Sequence, residues 1–186
     1  GGQLYISTNA NGATDFKLVT TSIETPGADH WVDLVPHKPG VLIQGYFLKS
    51  GFLVRKEQFE GLPRIIVRDL ASGSEEEISF AEEAYTLSVA GGYEFDSSEI
   101  RYYYSSPTTP AQVFDYDLKS KARELRKTQE IPSGHNPDDY VTRRLFATSH
   151  DGEKVPVTIL HRAGLELNGQ SPLLLYGYGS YGMSMP

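Results

Sequence analysis

The feature that most constrains this chain is its punctuation. Short strand-like runs, rich in Val, Ile, Leu, Tyr and Phe, recur between clusters of turn-forming residues. Leu4-Tyr5-Ile6 runs into Asn9-Ala10-Asn11-Gly12, and Phe16–Ile23 into Pro26-Gly27. Val41–Leu48 and Phe52–Arg55 flank Ser50-Gly51, and Arg64–Leu70 precedes Ala71-Ser72-Gly73. In Phe114, Tyr116 and Leu118 the apolar side chains alternate with Asp115 and Asp117, which predicts one buried and one wet face. No segment carries a helical stripe over three turns; the nearest, Ala81–Ala90, is short and ends at Gly91-Gly92.

The punctuation also repeats. Asp69-Leu70 closes a strand before a polar turn, and Asp117-Leu118 does the same 48 positions later. Ser22-Ile23 stands 47 positions before Asp69. Units of about 40 to 50 residues, each about four strands, suit propeller blades. The count is about two and a half blades: a partial one to about residue 36, then about 41–80 and about 86–127. The repeat alone leaves an evenly spaced β-sandwich equally open.

The pattern changes after residue 127. Ile131–Asp139 is a run of turn formers and reads as a connector. Thr142–Thr148 and Val155–Leu160 flank Asp151-Gly152, a strong hairpin signal. Pro172-Leu173-Leu174-Leu175-Tyr176 is apolar throughout, which predicts a strand covered on both faces. It opens into Gly177-Tyr178-Gly179-Ser180-Tyr181-Gly182. The expected division is therefore 1–127 for the repeated sheet units, 128–140 for the connector and 141–186 for strands of a second domain.

Charge and composition exclude several classes of function. The formal net charge of −7 disfavours nucleic acid. No apolar run approaches the ~20 residues that span a bilayer. With no Cys there are no disulfides or thiolate metal sites. No His pairs with another at metal-binding spacing, so His30, His37, His135 and His161 read as structural or solvated. No metal or cofactor is expected.

The run Pro172–Gly182 resembles the third hydrolase-domain strand and following loop of the oligopeptidase B branch of the prolyl oligopeptidase family. Tyr103-Tyr104-Ser105-Ser106-Pro107-Thr108-Thr109-Pro110 resembles that family's last blade. The resemblance runs over nearly the whole chain and favours the propeller. It implies a mainly β chain: the C-terminal blades of a seven-bladed β-propeller, then the first strands of an α/β-hydrolase domain. It further implies a serine oligopeptidase, acting on peptides through an acyl-enzyme, with its Ser, Asp and His beyond residue 186 and this stretch inactive alone. Cleavage after basic residues is the family pattern. Pro186 stands where an acid is expected, which counts against that preference. A cytoplasmic location is implied, with a periplasmic one left open.

Tyr178 matches the family's oxyanion-hole tyrosine. Attack on a peptide carbonyl puts negative charge on its oxygen, and a phenol O–H aimed there lowers the barrier. Gly177 and Gly179 are expected to keep bulk away. Tyr181 matches an aromatic position lining the substrate cleft, with a core aromatic at the sheet edge as the alternative reading.

Several patterns imitate sites. Ser180 fails the G-x-S-x-G pattern, because Tyr178 stands where its first Gly belongs. Ser149-His150-Asp151 spells a triad, but neighbours on a strand face opposite ways, so a turn is expected. Glu75-Glu76-Glu77 reads as a solvated turn, and Trp31 as packing between blades. Gly177-x-Gly179-x-x-Gly182 lacks the helix and acid of a dinucleotide site. A non-catalytic propeller that binds peptides or proteins is the alternative function. Unpaired strand edges predict self-association of the isolated chain.

Overall fold

A computed structural model describes residues 2–185. Three antiparallel sheets, each a meander in sequence order, precede a hairpin. The first sheet holds β1 (Gln3–Thr8), β2 (Lys17–Ser22) and β3 (Val32–Val35). The second holds β4 (Val41–Lys49), β5 (Phe52–Phe59), β6 (Leu62–Asp69) and β7 (Glu75–Glu77). The third holds β8 (Thr86–Ala90), β9 (Glu99–Ser105), β10 (Gln112–Asp117) and β11 (Arg123–Thr128). The hairpin pairs β12 (Tyr140–Thr148) with β13 (Lys154–Arg162).

The sheets stack face to face because strand side chains alternate. On β5, Leu53 joins Leu18, Val35 and Ile43 between the first and second sheets. Its neighbour Val54 joins Ile65, Val67, Leu87, Ile100 and Tyr102 between the second and third. Tyr102 is fully buried and stacks on Phe114 at 5.0 Å. Its buried hydroxyl has no hydrogen-bond partner among the described residues. Burial pushes its ionisation up to about 12.

The 48-residue repeat is a structural one. Asp69 Oδ1 accepts hydrogen bonds from the backbone N–H groups of Ala71 and Ser72 and from Ser72 Oγ. Asp117 Oδ1 does the same with Lys119, Ser120 and Ser120 Oγ. Each turn then needs a left-handed residue, filled by Gly73 (φ 74°) in one and Lys121 (φ 62°) in the other.

Four expectations fail. Asp115, assigned to a wet face, is 6% exposed, because Arg101 grips both of its oxygens at 2.7 and 2.8 Å. Glu75-Glu76-Glu77 forms strand β7 instead of a turn. Trp31 is half-buried and donates to the carbonyl of Pro26 at 3.0 Å, anchoring its own loop. Pro172–Tyr176 forms no strand; Leu173, Leu174 and Leu175 are 82%, 89% and 83% exposed. A strand needs partners for its N–H and C=O groups, and among the described residues none pairs with this run. Ser149, Asp151 and Gly152 do turn the hairpin: Gly152 N donates to Ser149 O at 3.0 Å, and Ser149 N to Glu153 O at 2.9 Å. No helix of the described residues is long and apolar enough to cross a membrane.

Candidate functional site

The glycine-rich segment after Tyr176 lies against the second sheet. Its far end is moored where Gln58 Nε2, on β5, donates to Ser184 Oγ. Tyr178 is 46% exposed, and its hydroxyl has no hydrogen-bond partner among the described residues. A phenol in that state is free to donate to an arriving oxygen. Tyr181 is 96% exposed and left-handed (φ 57°). The left-handed backbone of the segment falls on Tyr181, where it is unfavourable, and on Gly182 (φ 71°), where it is not. Gly177 and Gly179 are not left-handed, and a Cβ at either would meet nothing within 4 Å. The role assigned to those two glycines is thus not visible in this chain's own packing. Pro186 lies outside the described residues.

Beside this segment is a cavity of about 250 Å³. Gly182, Met183 and Ser184 form one wall; Gln58, Lys56 and Tyr85 contribute to the other. Lys56 has no carboxylate partner among the described residues, and burial pulls its ammonium below the usual lysine range. The cavity therefore combines a Gly-rich wall, an apolar ring and one unneutralised cation.

A larger cavity, about 510 Å³, opens between the first and second sheets. Its floor is a ladder of charge that sequence reading missed. Arg55 donates through Nε to Glu57 Oε1 at 2.6 Å and forks onto Glu75 at 2.9 and 2.7 Å. Arg64 reaches Glu57 at 3.2 Å and Glu77 at 3.6 Å; Arg68 reaches Glu75 at 2.9 Å. Arg55 and Glu57 are almost fully buried. Desolvation opposes charge on Arg55, but the two carboxylates outweigh it and raise its guanidinium above the usual value. The same balance, with Arg55 and Arg68 as partners, leaves Glu75 below the usual carboxylate range. The period-two spacing Arg55-x-Glu57 and Glu75-x-Glu77 was the available signal. It reads as a wet face until strand register brings the opposite charges together.

Two histidines are tied into the fold. His37 Nε2 lies 3.5 Å from Asp15 Oδ2, and His135 Nε2 lies 2.7 Å from the carbonyl oxygen of Thr108. No group of three or more His, Asp or Glu among the described residues could hold a metal ion.

The prolyl oligopeptidase N-terminal β-propeller domain matches residues 1–129. The chain is 37% identical over 186 residues to dipeptidyl aminopeptidase BI of Pseudoxanthomonas mexicana, covering 100% of this chain and 25% of that protein. It is 29% identical over 180 residues to Protease 2 of Moraxella lacunata, covering 96% of this chain and 25% of that one. Among solved structures, oligopeptidase B from Trypanosoma brucei with covalently bound antipain, in its closed form, superposes with a TM-score of 0.87. Identity there is 32%, over 97% of this chain and 26% of that one. Oligopeptidase B from Leishmania major gives a TM-score of 0.88 at 30% identity, over 99% and 27%. The chain thus spans about a quarter of the length of these relatives.

Proposed function

The chain belongs to the prolyl oligopeptidase family, and from that premise we propose that it is a section of a serine oligopeptidase, supplying part of the propeller and one half of the oxyanion hole. The three sheets are read as two complete blades and part of a third, since each is an in-order meander and the Asp69 and Asp117 turns recur at matching places. Residues 128–140 are the connector. The β12–β13 hairpin and Pro172–Tyr176 are read as the opening strands of the hydrolase sheet, the last of them completed by neighbours from elsewhere in a longer protein.

In this reading the substrate is a short peptide, and the reaction is acyl transfer to a serine. The 186 residues contain no Gly-x-Ser-x-Gly run, so the nucleophile comes from outside them and the chain alone is inactive. As the serine oxygen attacks, the carbonyl oxygen gains negative charge. The Tyr178 hydroxyl donates a hydrogen bond to it, alongside the backbone N–H that follows the nucleophile. Preference for Lys or Arg is left to acids outside the described residues. The observation that carries this proposal is the unengaged, accessible Tyr178 hydroxyl, placed just past an apolar run at the matched position.

The test is Tyr178→Phe in the whole enzyme. Losing one such donor lowers kcat by about 10²- to 10³-fold, with KM nearly unchanged, because the interaction exists only in the transition state. A fall in kcat well short of tenfold removes Tyr178 from the oxyanion hole.

A further inference from the structure

The loop joining the second and third sheets ends in buried Ala84 and Tyr85, which seat its backbone in the core. Just before them stand two adjacent carboxylates with different partners. Glu82 accepts from Tyr104 Oη, from Ser106 Oγ at 2.5 Å, from Thr108 Oγ1 at 2.9 Å and from Thr109 Oγ1 at 3.0 Å. Ser106 Oγ in turn accepts from the backbone N–H groups of Thr108 and Thr109, at 3.0 and 2.8 Å. The β9–β10 turn is thereby knotted around one carboxylate. Burial opposes charge on Glu82 most strongly, but its four donors together hold the carboxyl below its usual range.

Glu83 turns the other way. Its Oε2 accepts from the backbone N–H of Arg144 at 2.7 Å, and its Oε1 from Arg143 Nη1 at 3.2 Å. Arg144 lies on β12, paired to Thr158 of β13, so Glu83 satisfies a donor on that strand's open edge. The side chains of Glu83 and Arg143 are 44% and 62% exposed. Ion pairs this exposed are weak and screened by salt. The remaining ties across the seam are few: Arg144 Nη2 to the carbonyl of Glu60, and His135, bonded to Thr108 O and stacked on Tyr140 at 5.8 Å.

We infer that Glu82 and Glu83 form an asymmetric clamp at the seam between the third sheet and the β12–β13 hairpin, with Glu82 the permanent anchor and Glu83 the contact that releases. The hairpin parts from the sheets at Glu83 while the Glu82 knot stays closed. This goes beyond the peptidase reading and does not require it. Where that reading holds, Glu83 is a positioning residue, since the hairpin leads to the segment that carries Tyr178.

Amide hydrogen exchange in the whole protein tests it without any activity assay. Arg144 N–H reports on Glu83, and the Thr108 and Thr109 N–H groups report on Glu82. Glu83→Gln should speed exchange at Arg144 by about fivefold or more and leave Thr108 and Thr109 within about twofold. Raising salt from about 50 mM to about 1 M should move the unaltered protein in the same direction. Glu82→Gln should speed exchange at Thr108 and Thr109. The clamp is overturned if Glu83→Gln leaves Arg144 unchanged, or if Thr108 and Thr109 open as readily as Arg144 in the unaltered protein. It is equally overturned if Glu82→Gln leaves the turn protected. Glu76→Gln, at an exposed pair with Lys121, serves as the control and should leave Arg144 alone.

Discussion

Ile65-Ile66-Val67 and Leu173-Leu174-Leu175 are two apolar triplets with opposite fates. The first is 0%, 7% and 9% exposed; the second is 82%, 89% and 83% exposed. Composition cannot account for this. β6 has ladder partners on both sides, β5 and β7, and the third sheet packs against the face that carries Ile65 and Val67. The Leu173 run has no ladder partner among the described residues. The contrast extends along the chain, because no described residue from Lys119 onward is buried. An apolar side chain stabilises only when something excludes water from it, at about 1.5 to 3 kcal/mol per leucine. From Lys119 onward the chain carries apolar residues that no described residue covers fully.

The comparison can be broken by substitution. The largest loss is expected at Arg55 in the packed region. Arg55→Ala leaves Glu57 and Glu75 without their main cation and should cost about 3 to 5 kcal/mol in denaturant unfolding. A loss under about 1 kcal/mol would mean the ladder is solvated. Next comes the triplet contrast itself. Ile65→Ala should cost about 2 to 5 kcal/mol by loss of contacts and a cavity, and Leu174→Ala less than about 0.5 kcal/mol in this chain. Equal costs would show that Leu174 is covered after all. Repeating Leu174→Ala in a longer protein sharpens the point, for there a strand reading demands a core-sized loss.

The smallest effect is acid sensitivity at one turn. The Asp117 carboxyl is held down to about 2, chiefly by the Ser120 backbone N–H, with the Ser98 and Ser120 hydroxyls. A depressed carboxyl stabilises the fold above its unfolded value of about 3.9, and that contribution drains away as pH falls toward the folded value. Unfolding midpoints measured from about pH 6 down to about pH 2.5 should therefore drop. Asp117→Asn should flatten part of that drop, and an unchanged slope would remove Asp117 from the account.

The sheets could be read ahead of the structure because local signals specify them. Asp69-Leu70 and Asp117-Leu118 mark equivalent turns, and Asp151-Gly152 marks the hairpin. Charged strand faces could not be read in the same way. Arg55, Glu57, Glu75 and Asp115 look wet one residue at a time and become buried or paired only through cross-strand register. The Tyr178 segment was legible only as a motif. The mooring of Ser184 to Gln58 joins residues 126 positions apart, which no local pattern encodes.

The twin aspartate turns carry a consequence for the order of assembly. In each, the aspartate Oδ1 takes its hydrogen bonds from residues two and three positions on, so the turn into each outer strand is set largely by immediate neighbours. Loop closure of that kind is fast, and chains dominated by short-range contacts fold quickly. Either four-stranded unit can therefore nucleate without waiting for the other, and the barrier that remains is their docking through Val54, Ile65 and Tyr102.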